Sequence, residues 1–503
     1  MTYQGKPRGE KLVTHQGAGL RCLVVGAGEA GRAIARDLRR TPDLGLAPIG
    51  FLDDNPQKLR RSVAGLPVLG STAELVMIAK EHQIEVVVIA IPSMPASDIR
   101  RLGIAAAAAG ASVRYLPTFV AALRDARLGD LRRLRVDLLL GRHEVRVVRS
   151  ASSSVTSGRR VLVTGAGGSI GSELCRQIDS YGPAALYMLD HDESNLHRLQ
   201  LQLSGEALLD SDALVVADIR DSRRIMQVFE KFRPEVVFHA AAHKHLPLLE
   251  RHACEGVKSN VLGTFNMVEA AMATGVERFI LISTDKAADP VSILGATKRL
   301  AEMILQANSG GATKFASVRF GNVLGSRGSF LSVLSEQIEN GEAVTITHPD
   351  VTRFFMTVEE AVGLVIEAAS MAASGEVFVL DMGEPVRIVD LVHNYAAQMH
   401  LHASALTIRY TGLRQGEKLR ETLFSEREER LPTAHPKIWA VSPGDKLHDL
   451  RPRLAGLFGV AEANYADEVR RELAELVPEF APSAEPQVRL QVESLAAPYP
   501  DGF

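Results

Sequence analysis

The sequence has few cysteines, little net charge and no apolar run long enough to cross a membrane. Its three cysteines, Cys22, Cys175 and Cys254, are isolated and form no CxxC pair, so we expect no disulfide framework and a reducing compartment, the cytoplasm. The formal charge of −3 over 503 residues gives no general attraction to nucleic acid. Because a membrane span requires roughly 20 consecutive apolar residues, we expect no span in this chain.

A pattern that occurs twice is the main feature of the chain's organisation. Residues 20–25 and 160–163 are short apolar runs, and each is followed by a glycine-rich turn and a helical pattern. This order is typical of the first part of a doubly wound α/β unit. We therefore predict an α/β protein with two tandem Rossmann-like parallel sheets, the second with a small C-terminal α/β substrate-binding lobe.

The length and the local composition divide the chain further, since 503 residues are too many for one ordinary core. The first 19 residues are polar and contain no apolar signal core. The predicted parts are a polar N-terminal segment (1–19), a Rossmann-like nucleotide-binding domain (20–145), a linker (146–158), a catalytic domain with its substrate lobe (159–445), and C-terminal helices with a loosely ordered tail (446–503).

The first glycine turn has the pattern G-x-G-x-x-G, formed by Gly26, Gly28 and Gly31. Only glycine lets a backbone turn this tightly and approach a pyrophosphate at a helix N-terminus. Asp53 ends the next predicted strand and could hold a ribose or be a solvated turn residue. Both interpretations stay open: this unit is a possible second nucleotide site, or a unit that keeps the fold without a dinucleotide.

The second glycine turn is more specific, because Thr164, Gly165, Gly168 and Gly171 form T-G-x-x-G-x-x-G. The next strand ends in Asp190, where a carboxylate can accept hydrogen bonds from both hydroxyls of an adenosine ribose and would repel a 2′-phosphate. This favours NAD over NADP, with an ordinary turn aspartate as the alternative. The predicted cofactor-binding residues are Thr164, Gly165, Gly168, Ser169, Ile170, Gly171, Asp190, Asp218, Ile219, Ala240, Ala241, Ala242 and Lys298.

A polar sequence, Ser-Thr-Asp-Lys at residues 283–286, follows the fifth strand of this unit, and Lys298 lies on the next helix. Short-chain dehydrogenases place a catalytic tyrosine four residues before this lysine, where the chain has Leu294. An oxidoreductase or epimerase that relies on that tyrosine is therefore disfavoured. A metal site is not expected at His239, His243 and His245, because their spacing offers no clear fourth ligand.

Together these segments resemble the nucleotide-sugar 4,6-dehydratases of polysaccharide and glycan biosynthesis, in the subgroup related to membrane-anchored UDP-N-acetylglucosamine 4,6-dehydratases. The resemblance covers about residues 20–445. It rests on the segments DLLLGR (137–142), VLVTGAGGSIGSELCRQI (161–178), FHAAAHKHLPLLE (238–250), STDKAADP (283–290), GATKRLAE (295–302), VRFGNVLGSRGS (318–329), THPDVTRFFMT (347–357) and GLRQGEKLRE (412–421). The family usually carries transmembrane helices before the first unit, and its larger subgroup has methionine at the position of Leu294.

The resemblance implies a reaction in three stages on a UDP-sugar, with UDP-N-acetylglucosamine as the family's usual substrate. NAD⁺ takes a hydride from carbon 4, water is eliminated across carbons 5 and 6, and the hydride returns to carbon 6. Asp285 would protonate the leaving hydroxyl, Lys286 would be the base at carbon 5, Thr284 would bind the carbon-4 oxygen, and Lys298 would hold the nicotinamide ribose. The alternative for Asp285 and Lys286 is an exposed ion pair on a loop.

A basic side chain must be neutral to accept a proton, so we expect the pKa of Lys286 to be lowered by burial and by the charge of Lys298 or NAD⁺. In place of the missing tyrosine, our hypothesis is that Thr284 and an ordered water relay the carbon-4 proton towards Asp285 or Lys286. We expect a Leu294→Tyr variant to stay folded.

The resemblance also assigns residues to the substrate, and guanidinium groups suit phosphate oxygens in particular. Scattered surface cations are the alternative. The predicted substrate-binding residues are Lys244, His245, Asn322, Arg327, Arg353, Arg414, Glu417 and Lys418. Two other functions remain open, a UDP-sugar 4-epimerase or reductase and a non-catalytic nucleotide-sugar-binding regulator. We further expect a homo-oligomer, located in the cytoplasm or at the inner face of the membrane if an anchor precedes the sequence.

Overall fold

In the computed structural model the chain divides into two compact units, residues 1–143 with 393–403 and residues 144–392 with 404–503. Within the described ranges, every helix is too short or too polar to span a lipid bilayer. The structure describes residues 20–40, 46–59, 61–91, 94, 96–115, 132–133, 154–205, 209–324, 326, 330–340, 342–373, 375–398, 407–441, 450–482 and 491–494.

The first unit is built on a seven-stranded sheet in the order β3-β4-β2-β1-β5-β6-β7. Its strands are β1 (Leu20–Val25), β2 (Leu46–Leu52), β3 (Ser62–Val63), β4 (Leu66–Gly70), β5 (Val86–Ile89), β6 (Ser112–Tyr115) and β7 (Arg132–Arg133). Its helices are α1 (Glu29–Arg40), α2 (Leu75–Glu81) and α3 (Ala96–Ala108). β2, β1, β5 and β6 are parallel, whereas β3 and β7 are antiparallel to their neighbours.

Helices cover both faces of this sheet, and its central strands are mostly apolar and buried. All four residues of β5, Val-Val-Val-Ile, are buried, as expected of a parallel strand covered by helices on both sides. One apolar layer contains Ile34 and Leu38 of α1. The opposite layer contains Leu75 of α2 and Leu102 of α3. The doubly wound sheet expected from the sequence is confirmed.

The second unit contains a nine-stranded sheet in the order β10-β9-β8-β11-β12-β13-β18-β22-β21. The strands are β8 (Arg160–Thr164), β9 (Ala185–Asp190), β10 (Leu214–Val216), β11 (Val236–His239), β12 (Arg278–Ile282), β13 (Lys314–Arg319), β14 (Asn322–Leu324), β15 (Val344–Ile346), β16 (Thr352–Arg353), β17 (Phe355–Thr357), β18 (Glu376–Leu380), β19 (Val386–Arg387), β20 (Thr407–Tyr410), β21 (Arg430–Pro432), β22 (Ile438–Val441) and β23 (Gln491–Ser494).

Helices lie between most of these strands, as a doubly wound unit requires. They are α4 (Ser169–Asp179), α5 (Glu193–Ser204), α6 (Ser222–Phe232), α7 (Leu246–Arg251), α8 (Ala253–Gly256), α9 (Gly263–Thr274), α10 (Ile293–Ala307), α11 (Phe330–Glu339), α12 (Val358–Met371), α13 (Ile388–Gln398), α14 (Leu450–Glu462) and α15 (Ala466–Leu476). Of α13, residues 388–392 belong to the second unit and residues 393–398 to the first. A π-helical segment, Val257–Leu262, joins α8 to α9.

The main sheet is parallel from β10 to β18 and antiparallel at β22 and β21. The last two strands were not expected from the sequence. Both are short, and β22 pairs with β18, which lies far from it along the chain. The carboxyl ends of β8, β9, β11 and β12 therefore lie at one edge of the sheet, where loops can form a shared site.

Three small sheets complete the second unit, β14-β17, β15-β20-β23 and β16-β19. The C-terminal substrate lobe stays a prediction. Within the predicted tail, Gln491–Ser494 pairs antiparallel with β20. The expected linker at 146–158 is partly wrong, because residues 154–156 are helical and Val155 is buried in the core.

Candidate active site

The glycine turn after β8 forms a backbone cradle that a larger residue would fill. Gly165 has a φ of +62°, which favours glycine. A Cβ atom on Gly165 would lie 2.7 Å from the backbone nitrogen of Ala241, and one on Gly171 would overlap the carbonyl oxygen of Gly165. Gly168 then caps the N-terminus of α4, where Ser169 and Ile170 begin the helix. Such an arrangement fits a dinucleotide pyrophosphate.

The carboxylate of Asp190 lies directly beside this cradle. It accepts hydrogen bonds from the backbone nitrogens of Gly167 at 2.9 Å and Asp192 at 3.0 Å. These bonds fix the side chain, which is only 6% exposed. A carboxylate anchored at the end of β9, next to the glycine turn, suits ribose recognition. The role of Asp190 in ribose binding stays a prediction.

Asp218, expected near the adenine, has an internal partner. Arg220 donates to both of its carboxylate oxygens, with Nε at 3.0 Å from Oδ1 and 2.9 Å from Oδ2. Burial raises the pKa of Asp218, but the hydrogen bonds and charge of Arg220 lower it overall. Ile219 is buried beneath Gly263 at the start of α9. Any contact from Asp218 to a nucleotide must therefore be made by a carboxylate already paired with an arginine.

The alanines after β11 are held against the glycine turn by a buried histidine network. Ala240 donates to the carbonyl oxygen of Thr164, and Ala241 donates to the Thr164 hydroxyl at 3.3 Å. The same hydroxyl lies 2.7 Å from Nδ1 of His239. His239 is fully buried, and burial lowers its pKa to about 3. His239 is thus a neutral structural link between β8 and β11, and Ala242 follows in the same loop.

Sequence reasoning missed Asn260, which supports the cofactor cleft from the π-helical segment. Its side chain accepts from the backbone nitrogen of His243 at 2.8 Å and donates to the His243 carbonyl and to the Thr297 hydroxyl. Asn260 is 1% exposed. A π-helical turn often marks a functional position, but the one-dimensional pattern of residues 257–262 does not distinguish it from an ordinary helix.

The segment after β12 places Thr284, Asp285 and Lys286 in one hydrogen-bonded group. The Thr284 hydroxyl and Lys286 Nζ each donate to Oδ1 of Asp285 at 2.9 Å. Asp285 is completely buried, and its Oδ2 has no hydrogen-bond partner in the part of the chain that the structure describes. The alternative interpretation of Asp285 and Lys286 as an exposed ion pair on a loop is therefore wrong. A buried carboxylate oxygen without a partner is available to a ligand hydroxyl.

We expected the pKa of Lys286 to be lowered, and this prediction is also wrong for the protein without its ligands. Burial lowers this pKa, as expected, but the charges of Asp285 and Glu421 and the bond to Asp285 together raise it above the ordinary value. Arg353 opposes them. Lys286 therefore carries a proton in this state. It can become neutral only when that proton moves, most directly along its hydrogen bond to Asp285.

Lys298 lies beneath the same segment and donates to the carbonyl oxygen of Ile282 at 2.9 Å. Burial lowers its pKa to about 8. Leu294, one turn earlier on α10, is 5% exposed and packs in the apolar core. The position where a tyrosine hydroxyl would be expected is therefore apolar in this chain.

A buried ion-pair network behind the segment was also missed by sequence reasoning. Arg319 on β13 is fully buried and binds both oxygens of Glu302 at 2.7 Å. Glu302 also accepts from the Ser283 hydroxyl at 2.7 Å. Glu428 contacts the remaining nitrogen of Arg319 at 2.8 Å. This network fixes the end of β12, immediately before Thr284.

Several residues assigned to the substrate come close to the catalytic segment. Lys418 Nζ donates to the carbonyl oxygen of Ala288 at 3.0 Å. Arg353 binds Oε1 of Glu417 at 2.7 Å, and the backbone nitrogen of Arg414 donates to Oε2 of the same residue. The guanidinium of Arg353, expected to bind a diphosphate, thus has an internal carboxylate partner.

The other assigned residues are more dispersed. Asn322 begins β14, and its backbone nitrogen donates to the carbonyl oxygen of Phe354. Lys244 and His245 are exposed in the loop that leads into α7. Arg327 lies outside the described residues. Within the ranges that the structure covers, no three histidine, cysteine or acidic side chains are grouped to hold a metal ion.

The first unit repeats the backbone arrangement of the glycine turn. A Cβ atom on Gly31 would overlap the carbonyl oxygen of Gly26, while one on Gly28 would meet nothing within 4 Å among the described atoms. Asp53 accepts from the backbone nitrogen of Ala27 at 2.8 Å and from Lys58 Nζ at 2.9 Å. The carboxylate of this unit is thus already paired with a cation.

Residues 161–443, more than half of the chain, match the family model described as polysaccharide biosynthesis protein, and residues 10–117 match one described as a CoA-binding domain. The chain is 41% identical over 428 residues to the probable polysaccharide biosynthesis protein EpsC of Bacillus subtilis, covering 84% of this chain and 71% of that protein.

One further relative and one solved structure are similar to more than half of the chain. A UDP-N-acetylglucosamine 4,6-dehydratase (inverting) of Campylobacter jejuni is 31% identical over 301 residues, which are 58% of this chain and 85% of the relative. The crystal structure of Pen from Bacillus thuringiensis is similar with a TM-score of 0.53 and 30% identity over 57% of this chain and 89% of that one. The chain therefore belongs to the polysaccharide biosynthesis protein family.

Proposed function

We propose that the protein is an NAD-dependent 4,6-dehydratase of a UDP-sugar, most directly UDP-N-acetylglucosamine, in polysaccharide biosynthesis. The observation that carries this proposal is the buried group of Thr284, Asp285 and Lys286, with a carboxylate oxygen left for a ligand and Leu294 in place of the tyrosine. The named dehydratase relative supports the reaction and the sugar.

The cofactor assignment rests on the cradle at Gly165 and Gly171 and on the anchored carboxylate of Asp190. NAD⁺ held there would supply the hydride acceptor for carbon 4 of the sugar and the hydride donor for carbon 6. The carboxylate of Asp190 would accept the ribose hydroxyls and exclude a 2′-phosphate. Lys298, held against the end of β12, would bind the nicotinamide ribose.

Asp285 and Lys286 would perform the elimination of water as a pair. The proton on Lys286 Nζ crosses the 2.9 Å hydrogen bond to Asp285, which leaves a neutral amine and a protonated acid. The amine then takes the carbon-5 proton, and the acid gives its proton to the departing carbon-6 hydroxyl. Asp285 is completely buried, so water is kept away from the pair during this step. The Thr284 hydroxyl would bind the carbon-4 oxygen.

A UDP-sugar 4-epimerase or reductase on the same fold is the alternative enzyme. Such chemistry commonly uses a tyrosine that removes the hydroxyl proton, and Leu294 is buried in the apolar core at that position. The acid–base pair at 285–286 would have no role in a simple epimerisation. A non-catalytic regulator is the second alternative, and it would need no buried pair of this kind.

The proposal is tested by incubating the purified chain and NAD⁺ with UDP-N-acetylglucosamine, UDP-glucose and dTDP-glucose separately, and by following product masses. Loss of 18 mass units from UDP-N-acetylglucosamine alone is expected. Asp285→Asn and Lys286→Met should abolish this loss while the chain stays folded. A product of unchanged mass but altered configuration would favour the epimerase. Absence of both NAD⁺ binding and turnover would favour the regulator.

A further inference from the structure

Glu421 approaches the catalytic lysine from the segment that follows β20. Lys286 Nζ lies 2.9 Å from Oδ1 of Asp285 and 3.7 Å from Oε1 of Glu421. The Glu421 side chain is 2% exposed, and its Oε2 has no hydrogen-bond partner among the residues that the structure describes. The ammonium of Lys286 is thus positioned between two buried carboxylates, of which sequence reasoning identified only one.

The position of Glu421 is fixed by the backbone before it. The backbone nitrogen of Thr352 donates to the carbonyl oxygen of Leu419 at 3.1 Å, and Thr352 also forms a parallel bridge with Arg420. Lys418 is attached to the carbonyl of Ala288, two residues after the catalytic lysine. Residues 418–421 are therefore aligned with both β16 and the catalytic segment, and Glu421 is held against Lys286.

Five charged groups meet at this point from three parts of the unit. Asp285 and Lys286 come from the loop after β12, Arg353 from β16, and Lys418 and Glu421 from the 412–421 segment. Burial and the nearby charge of Asp285 raise the pKa of Glu421, although Lys286, Arg353 and Lys418 lower it in part. In turn, Asp285 and Glu421 oppose the effect of burial on Lys286.

We propose that Glu421 controls how readily Lys286 gives up its proton, and is thus a positioning residue for the base of the reaction. This role rests on the proposed dehydration. The ionised carboxylate of Glu421 favours the ammonium form of Lys286, whereas protonated Glu421 favours transfer of that proton to Asp285. Because Glu421 lies beyond hydrogen-bond distance of Lys286, it acts through its charge, and the sequence GEKLRE alone gives no sign of this contact.

The direct test measures Lys286 itself, with neither cofactor nor substrate. Acetic anhydride reacts only with neutral amines, and Lys286 is 19% exposed, so its labelling rate can be followed by mass spectrometry at several pH values. Glu421→Gln removes the charge with little change of shape. At pH values where Lys286 is mostly protonated, we expect its labelling to be roughly 10- to 1,000-fold faster in this variant, because a neighbouring opposite charge shifts a pKa by about 1 to 3 units.

Two variants serve as controls. Glu421→Asp keeps the charge and should label close to the wild-type rate. Glu367→Gln neutralises another buried glutamate, on α12, which is not among the charges acting on Lys286. Equal labelling of wild type, Glu421→Gln and Glu367→Gln, with all three folded, would overturn the inference.

A second measurement separates this inference from the proposed function. If the protein converts a UDP-sugar, the fall of kcat/KM at high pH (the basic limb of the pH profile) should begin at a lower pH in Glu421→Gln than in wild type. A purely structural role of Glu421 would lower kcat/KM without moving this limb. If no UDP-sugar is converted while labelling still responds to Glu421, the dehydratase proposal fails and the contact with Lys286 stands. An unmoved limb in an active Glu421→Gln variant would count against the role of Glu421.

Discussion

Replacing Arg319 with methionine should destabilise the second unit strongly. Arg319 is fully buried and gives Glu302 two hydrogen bonds of 2.7 Å. Without it, the equally buried Glu302 keeps only the Ser283 hydroxyl and a longer contact from Arg299. Removing one partner of a buried ion pair commonly costs about 3–5 kcal/mol when the remaining charge is uncompensated. Because Arg299 still compensates part of the Glu302 charge, we expect a loss of about 3 kcal/mol in the free energy of unfolding near pH 7.5.

The chain provides a local reporter for this measurement. Trp439 is its single tryptophan, and it pairs with Val379, which pairs in turn with Arg319 on β13. Tryptophan fluorescence during urea denaturation therefore follows the sheet that contains the substitution. The double variant Arg319→Met with Glu302→Gln removes the stranded charge and should recover a large part of the loss.

The loss should also depend on pH in a defined direction. In the native protein Arg319 keeps the pKa of Glu302 low despite burial. The ion pair therefore stabilises the native state fully at pH values above the ordinary glutamate pKa, and this stabilisation is lost as the pH falls through the lowered pKa of Glu302. In Arg319→Met, burial alone would raise that pKa, and protonation of Glu302 would remove the buried charge. The difference in the free energy of unfolding between Arg319→Met and wild type should therefore be smaller at pH 5 than at pH 7.5. A loss below about 1 kcal/mol, or one that is equal at both pH values, would refute the reasoning.

Three further substitutions test other parts of the second unit. Gly171→Ala should abolish NAD⁺ binding measured by calorimetry, because its Cβ would overlap the carbonyl oxygen of Gly165, whereas Gly311→Ala, with no neighbour within 4 Å in the described structure, should bind normally. Because the pKa of His239 is lowered to about 3, the free energy of unfolding should fall by about 2 kcal/mol between pH 6.5 and pH 5. His239→Asn should remove this part of the pH dependence. Thr284→Val should lower kcat about 100-fold or more in the mass assay, and full activity would disprove the proton relay through this hydroxyl.

The sheets were predictable because their signals are local. The apolar runs at β1, β5, β8, β11 and β12 become buried parallel strands, and the strand predicted at 236–239 has the same bounds in the structure. The glycine turns and Asp190 follow from the same logic, since their geometry is set by a few consecutive residues and one strand end.

Contacts between distant segments were not predictable from the chain. Glu421 meets Lys286, and Arg353 meets Glu417, only because the 412–421 segment is aligned with β16. The expected direction of the Lys286 pKa was wrong because the charge and hydrogen bond of Asp285, together with the charge of Glu421, outweigh the effect of burial. Likewise, β22 joins the main sheet by pairing with β18, about 60 residues earlier in the chain, and β21 then pairs with β22.

The two glycine turns show how similar backbones can differ in chemistry. In each unit an aspartate at the end of the second strand, Asp53 or Asp190, accepts a hydrogen bond from the glycine turn. Lys58 forms a 2.9 Å ion pair with Asp53. In the described part of the chain, the basic side chain close to Asp190 is exposed His191, at 3.3 Å. A ribose diol needs a carboxylate with acceptor capacity to spare, so the second turn is better suited to NAD. A ligand of the first turn would have to accommodate or displace Lys58, and a phosphorylated group can do so by pairing with that cation.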